Sequence, residues 1–170
     1  MSDPKEQIRE ILKKAYQIEV DGYTFYSMAA DKSTKPAVQE LFDKLAKDET
    51  EHKSYLREVM RRYEAEGTGA FTVDRRDPQV KAFADAIFTQ KFKEQAHGAA
   101  FELGALSVGM QLETNAIAHF SAAAEAASER EVQEFYRFLA QWERGHFEAL
   151  QALHSLVRAD FWEQGGFAPF

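Results

Sequence analysis

Two segments of the chain carry a glutamate and a histidine three positions apart. Side chains at this spacing lie on one face of a helix, so both can approach one metal ion. Glutamate is abundant in this chain, so one such pair would be weak evidence. However, a lone glutamate precedes each pair, and the whole set repeats at an offset of 94 positions. The residues are Glu19, Glu49 and His52 in the first copy and Glu113, Glu143 and His146 in the second.

Four carboxylates and two imidazoles are a ligand set suited to two divalent cations. Without cations, so many ionisable groups would be costly to bury together. A carboxylate-rich site with one imidazole per metal favours iron or manganese over zinc or copper. Two alternatives remain at this point. In the first, the six residues are not ligands but are core polar groups with protein partners, or they face solvent. In the second, the protein is a metal-free helical scaffold that binds a partner.

The spacing of the apolar residues predicts helices that bring these side chains together. In the first helical segment they follow one another at intervals of four and three, with Glu19 in the middle. The residues of this stripe are Ile8, Leu12, Ala15, Glu19, Gly22, Tyr26 and Ala29. Three later segments have the same rhythm, each interrupted at mid-length by Glu or by Glu and His. Such stripes are typical of an antiparallel four-helix bundle, with the six polar side chains in one central layer.

We predict one all-α domain over residues 1–170, made of two helix-hairpin repeats at about 4–66 and 98–158. Asp3-Pro4 is a typical helix start, and the capping-box sequence 128–131 should open the fourth helix, which is expected to end near Arg158. A long crossover, 67–97, should contain a loop at 67–78 and a short extra helix to about residue 90. The aromatic, glycine-rich tail, 159–170, is expected to lack regular structure.

Composition restricts the class of protein. The net charge of −7 argues against a nucleic-acid partner, which requires a basic surface. The absence of cysteine excludes disulfides, thiolate metal sites and iron–sulfur clusters within these residues. The N-terminal residues have no apolar segment, so we expect no secretory signal, and no apolar run approaches the roughly 20 residues of a membrane span. We therefore expect a cytoplasmic protein with no membrane association.

The order Glu, Glu-x-x-His, Glu, Glu-x-x-His resembles the ferritin-like superfamily of di-iron carboxylate proteins. The stretch AYQIEVDGYTFYSMAA, residues 15–30, is similar to the first helix of the rubrerythrin branch. The resemblance is to a rubrerythrin-like protein lacking the rubredoxin domain, since no cysteine is present. It implies two iron ions, with manganese possible at either position. It also implies a di-iron oxidoreductase that oxidises Fe(II) with peroxide or oxygen. An iron-storage ferroxidase of a ferritin-type shell and a di-iron hydroxylase are the alternatives.

The resemblance also implies partners and roles. An external electron donor, such as a rubredoxin-like protein, would be needed, and a homodimer is expected. Thr50 stands where bacterioferritin has its haem-binding methionine, so no haem is expected. By analogy with the family, Glu49 and Glu113 are expected to bridge the metals. Tyr26 is either a hydrogen-bond donor to a ligand glutamate or a plain core residue, and Tyr16 and Tyr23 are weaker candidates for the border of the site.

Other positions depart from the family pattern. Met110 replaces a further carboxylate often found in rubrerythrins, which puts a peroxidase-type shift of iron between ligands in doubt. An aspartate often precedes the Glu of each pair and orients a histidine. Asp48 fits this pattern but Trp142 does not, so the two metals are expected to differ. The third copy of the spacing, at 94–97, is read as chance, and two further histidines are expected to face solvent. These histidines are His119 and His154.

Overall fold

The computed structural model describes residues 4–72 and 100–164, and these form four long helices. The first two helices are joined by three residues, as are the last two, so each pair folds back as a hairpin. A 3-10 helix follows the second helix. The elements are α1 (Pro4–Lys32), α2 (Pro36–Glu66), the 3-10 helix (Gly67–Thr72), α3 (Ala100–Ala126) and α4 (Arg130–Gln164).

The two hairpins pack side by side. Helix α1 lies along α2, α3 lies along α4, and α1 also contacts α3. Because each hairpin buries one apolar stripe per helix, the four stripes meet in a common interior. The predicted all-α bundle of two hairpins is confirmed within the described residues.

The interior has two apolar clusters separated by a polar layer. One cluster contains Tyr26, Phe42, Leu106 and Leu150, and lies at the end of the bundle where α1 joins α2. The other contains Leu12, Leu56, Phe120 and Leu139, and lies toward the opposite end. Every helix passes from one cluster to the other, and each does so at its glutamate or its Glu-x-x-His pair. The polar residues that interrupt the four apolar stripes therefore lie in a single layer across the bundle.

Glu102, in the first turn of α3, ties the two hairpins together. Its Oε1 atom accepts hydrogen bonds from the Thr34 backbone N–H at 2.9 Å and the Thr34 hydroxyl at 3.2 Å. The Ser33 hydroxyl donates a third, also at 3.2 Å. The side chain is only 3% exposed. Because these donors outweigh the effect of burial, the pKa of Glu102 lies below its usual range. Sequence reasoning missed this residue, since an acid in a first helical turn is ordinarily solvent-exposed.

The structure differs from the predicted connections in two places. Residues 67–72 of the expected loop form the 3-10 helix, because Phe71 is buried against Tyr63 and Phe135, with ring centroids 5.6 Å and 4.8 Å away. Gly67 ends α2 with a φ of 63°, a conformation open to glycine. Helix α4 continues to Gln164 rather than ending near Arg158, since no glycine or proline occurs between Arg158 and Gly165. The extra helix near 78–90 and the Glu-x-x-His copy at 94–97 lie outside the described residues.

Candidate metal centre

The six predicted side chains lie together in the polar layer. Each comes from the middle of its helix, where the stripe faces the bundle axis. All are buried: His52, the most exposed of them, is 6% exposed, and His146 is fully buried. Ionisable groups this deeply buried need compensating partners. The structure places the six where the repeat predicts, and their assignment as metal ligands stays a prediction.

Around His52, the first hairpin supplies two carboxylates. The Nδ1 atom of His52 lies 3.0 Å from Oε2 of Glu19 and 3.1 Å from Oε2 of Glu49. Glu49 and His52 approach one another because they are three residues apart on α2. A third carboxylate arrives from the second hairpin, with Oε1 of Glu143 at 4.0 Å from the same nitrogen.

Around His146, the second hairpin has a corresponding arrangement. The Nδ1 atom of His146 lies 3.3 Å from Oε1 of Glu49, 3.5 Å from Oε2 of Glu143 and 3.6 Å from Oε1 of Glu113. The His52 and His146 rings are 5.1 Å apart between centroids and nearly parallel. One potential ligand atom from each of Glu49, His52, Glu143 and His146 falls within 4.8 Å of the others. This grouping could hold a metal ion.

Glu49 and Glu143 are the two carboxylates that lie between the imidazoles. Each approaches both histidines, whereas Glu19 approaches only His52 and Glu113 approaches only His146. The expectation that Glu113 bridges is therefore not supported by its position. Glu113 takes the peripheral place that Glu19 takes in the other half. Glu49 and Glu143 therefore occupy the central positions of the cluster.

Several buried polar atoms of the cluster have no hydrogen-bond partner. They are Oε1 of Glu19, Oε1 of Glu143 and both ring nitrogens of His146. Buried polar groups are normally satisfied, so each exception requires an explanation. Within the described residues, no lysine or arginine pairs with any of the four glutamates. Carboxylate oxygens and imidazole nitrogens that lack hydrogen-bond partners and face one another are suitable ligands for cations.

Burial and mutual proximity shift the pKa values of several groups in the cluster. Burial and the neighbouring Glu49 raise the pKa of Glu19 to about 8. Burial and the charges of the other three glutamates raise the pKa of Glu143 well above its usual range. Burial opposes protonation of His146, but its carboxylate neighbours outweigh this effect and raise its pKa well above the ordinary value. Without metal, the cluster therefore retains protons in place of cations.

Two residues on α1 shape the surroundings of the carboxylates. The Tyr26 hydroxyl donates a hydrogen bond to Oε1 of Glu113 and is fully buried. Burial opposes ionisation of Glu113, but His146 and the Tyr26 hydroxyl outweigh it and hold the pKa of Glu113 below its usual range. At Gly22, an added Cβ would lie 3.0 Å from Oε1 of Glu49. Tyr26 therefore orients one carboxylate, and Gly22 leaves space for another.

The two halves of the centre are supported differently. Oδ2 of Asp48 lies 3.8 Å from Nε2 of His146, and Asp48 is itself paired with Lys44. At the repeat-equivalent position of Asp48, Trp142 stacks on His52, with ring centroids 4.0 Å apart and planes 8° apart. Among the described residues, no carboxylate pairs with the Nε2 atom of His52. A carboxylate therefore lies near one imidazole, beyond hydrogen-bond distance, and an aromatic ring stacks on the other.

The remaining candidates lie away from the layer. Tyr23 is 40% exposed, and the Lys53 ammonium sits 3.7 Å from its ring centroid. Tyr16 is half-buried against the cluster that contains Leu12. The prediction that His119 and His154 face solvent is wrong, since both are half-buried and burial lowers both pKa values. Their half-burial follows from positions at the border of the apolar stripes.

A comparison with protein-family models matched the chain to the model described as Rubrerythrin over residues 10–154. The match spans all four helices and includes all six residues of the polar layer. Comparisons with curated proteins and with solved structures gave no match. Within the described part of the chain, no helix is both long enough and apolar enough to cross a membrane.

Proposed function

We propose that this chain, which belongs to the Rubrerythrin family, uses its buried Glu/His cluster to hold two iron ions and oxidise them with peroxide or oxygen. The observation that carries the proposal is the set of orphaned buried ligand atoms in the ferritin-like bundle. Bound iron supplies a redox couple that reacts with peroxide or oxygen. The protein supplies ligands, a fixed geometry and a largely water-excluded interior.

In this proposal the six residues divide into terminal and bridging ligands. Glu19 and His52 would hold one iron, and Glu113 and His146 the other. Glu49 and Glu143 would bridge, since each approaches both imidazoles. Tyr26 would orient Glu113 through its hydroxyl, and Asp48 would orient His146. Manganese at one or both positions suits the same ligands.

The reductant and the assembly are further parts of the proposal. These 170 residues contain no cysteine and hence no rubredoxin-type centre, so reducing electrons would come from outside them, and we propose a separate donor. The homodimer and the cytoplasmic location stay predictions. Iron storage would require a hollow shell of many subunits, so size-exclusion chromatography separates that alternative from a dimer.

The first test is the metal content of the purified chain after anaerobic loading with Fe(II) and desalting. We expect two iron ions per chain in the wild type. A Glu49→Ala variant should lose most of the iron, because Glu49 approaches both imidazoles. Glu51→Ala, which removes an exposed glutamate from the same helix, should retain it. Absence of stoichiometric iron or manganese from the wild type would contradict the proposal.

The second test is oxidation of the loaded protein. Addition of peroxide or oxygen to the diferrous protein should produce ferric absorbance, and comparison of the two oxidants identifies the preferred one. If the bound iron is oxidised no faster than free Fe(II) under the same conditions, the oxidoreductase proposal fails, even if the metal site is real.

A further inference from the structure

A chain of aromatic rings leads from the cluster toward the surface. The Trp142 ring stacks on His52 at 4.0 Å, and the Tyr55 ring meets Trp142 edge-on at 5.1 Å between centroids. Trp142 is 7% exposed and Tyr55 is half-buried. The three rings therefore form a continuous series of contacts from the polar layer to the protein surface.

This series exists in only one half of the repeat. The residue equivalent to Trp142 is Asp48, and the residue equivalent to Tyr55 is Ala149. Phe138, which packs on Trp142 at 4.7 Å, is likewise equivalent to Lys44. An ion pair of Lys44 and Asp48 thus occupies the place that Phe138 and Trp142 occupy in the other half. Core packing alone does not require this exchange, since both versions fill equivalent places beside an imidazole.

The two rings beyond His52 are of the types that exchange single electrons. Tryptophan and tyrosine can be oxidised by one electron and reduced again, whereas phenylalanine cannot under the same conditions. We propose that Trp142 and Tyr55 form a one-electron path between the metal centre, at His52, and the surface. The inference rests on the proposed function, because it needs an oxidisable metal beside His52.

The path would supply one of the two electrons that the reduction of peroxide requires. Reduction of hydrogen peroxide to two molecules of water takes two electrons and two protons. With a single ferrous ion at the centre, one electron comes from that ion and the other comes from Tyr55. Trp142 gives its electron to the centre and recovers one from Tyr55, whose phenolic proton leaves to solvent. Two protons taken up from solvent complete the two waters, so the net uptake is one proton, and the products would be one ferric ion and one tyrosyl radical.

In turnover the same path carries electrons inward. Tyr55 would pass an electron through Trp142 to the centre, and a separate one-electron donor that reaches the surface at Tyr55 would replace the electron that Tyr55 has lost. Two such transfers would return two ferric ions to the ferrous state. The path therefore converts a two-electron reaction at the metals into single-electron steps at the surface.

The test uses the full chain loaded anaerobically with one Fe(II) per protein and mixed with one equivalent of peroxide. Samples frozen after mixing are examined by electron paramagnetic resonance, and signals are compared at equal amounts of bound iron. The wild type should show an organic radical whose spectrum changes when ring-deuterated tyrosine is incorporated. Tyr55→Phe should lose that tyrosyl signal and retain a tryptophan radical. Trp142→Phe should lose both.

Tyr23→Phe is the matched control, since Tyr23 is a surface tyrosine in contact with Lys53 rather than Trp142. It should leave the radical unchanged. Equal radical signals in all four proteins, or no radical in the wild type despite oxidation of its iron, would overturn the electron path and leave the proposed function intact. If the wild type fails to bind or to oxidise iron, the proposed function fails and the electron path fails with it.

Discussion

Gly22 lies directly against the Glu49 carboxylate, and a Cβ at this position would be 3.0 Å from Oε1 and 3.2 Å from Cδ. Glu49 is one of the two glutamates between the imidazoles, so its position depends on a missing side chain in the neighbouring helix. At this position a Cβ would favour the helix but would crowd the Glu49 carboxylate. A substitution at Gly22 therefore affects metal binding and helix stability in opposite directions.

We predict that Gly22→Ala weakens metal binding by about tenfold or more, on the scale known for changes just outside the ligands. The stability of the metal-free protein should not fall along with the metal affinity, because alanine in a helix interior is favoured over glycine by about 1 kcal/mol. Metal titration and thermal unfolding of the same variant measure the two effects. Gly104→Ala is the control, since nothing lies within 4 Å of its Cβ. Similar metal affinity in both variants would contradict the prediction.

Asp48 is expected to matter through His146. Asp48→Asn removes the charge 3.8 Å from Nε2 of His146 and should lower metal affinity about 10- to 100-fold. Equilibrium titration with Fe(II) or Co(II) gives the affinity. Asp43→Asn, an exposed aspartate on the same helix, should have no effect. If Asp48→Asn binds as tightly as the wild type, Asp48 does not orient the histidine.

Tyr26 should stabilise the protein through Glu113. Tyr26→Phe removes the hydroxyl that donates to the buried Glu113 carboxylate, and we expect a loss of about 1 to 3 kcal/mol in the free energy of unfolding without metal. Urea unfolding of the metal-free proteins measures it. The surface variant Tyr23→Phe should lie within about 0.5 kcal/mol of the wild type. Equal stability of both variants would show that Tyr26 acts only as core.

Glu102 gives a prediction about pH. Its folded-state pKa is lowered, so its ionised form stabilises the protein at pH values above its unfolded pKa of about 4.3. That stabilisation is lost as the pH falls through the lower folded-state pKa. Glu102→Gln should therefore be less stable than the wild type near neutral pH, and the difference should shrink toward acid. Chemical unfolding at several pH values tests this. A difference that stays constant with pH would exclude the ionised carboxylate as its source.

The architecture and the six residues of the layer follow from local pattern. Apolar spacing of four and three residues determines which face of each helix is buried. The repeat at 94 positions shows that Glu19, Glu49 and His52 have counterparts at the same depth. The ends of the helices were harder to predict from the sequence. The 3-10 helix at Gly67–Thr72 depends on packing of Phe71 against Tyr63 and Phe135, which no local signal records. The continuation of α4 to Gln164 has a local signal, because no glycine or proline occurs between Arg158 and Gly165, but the sequence prediction did not use it.

Contacts between helices were decided only by the tertiary structure. The sequence by itself determined that four glutamates and two histidines face one interior, because helical periodicity is a property of each segment alone. It did not determine that Glu143, rather than Glu113, lies between the imidazoles, or that Trp142 stacks on His52. Nor did it show that Glu102 is buried beneath Thr34. These relationships depend on the rotation, axial offset and rotamers of neighbouring helices, which are set by packing of the whole bundle.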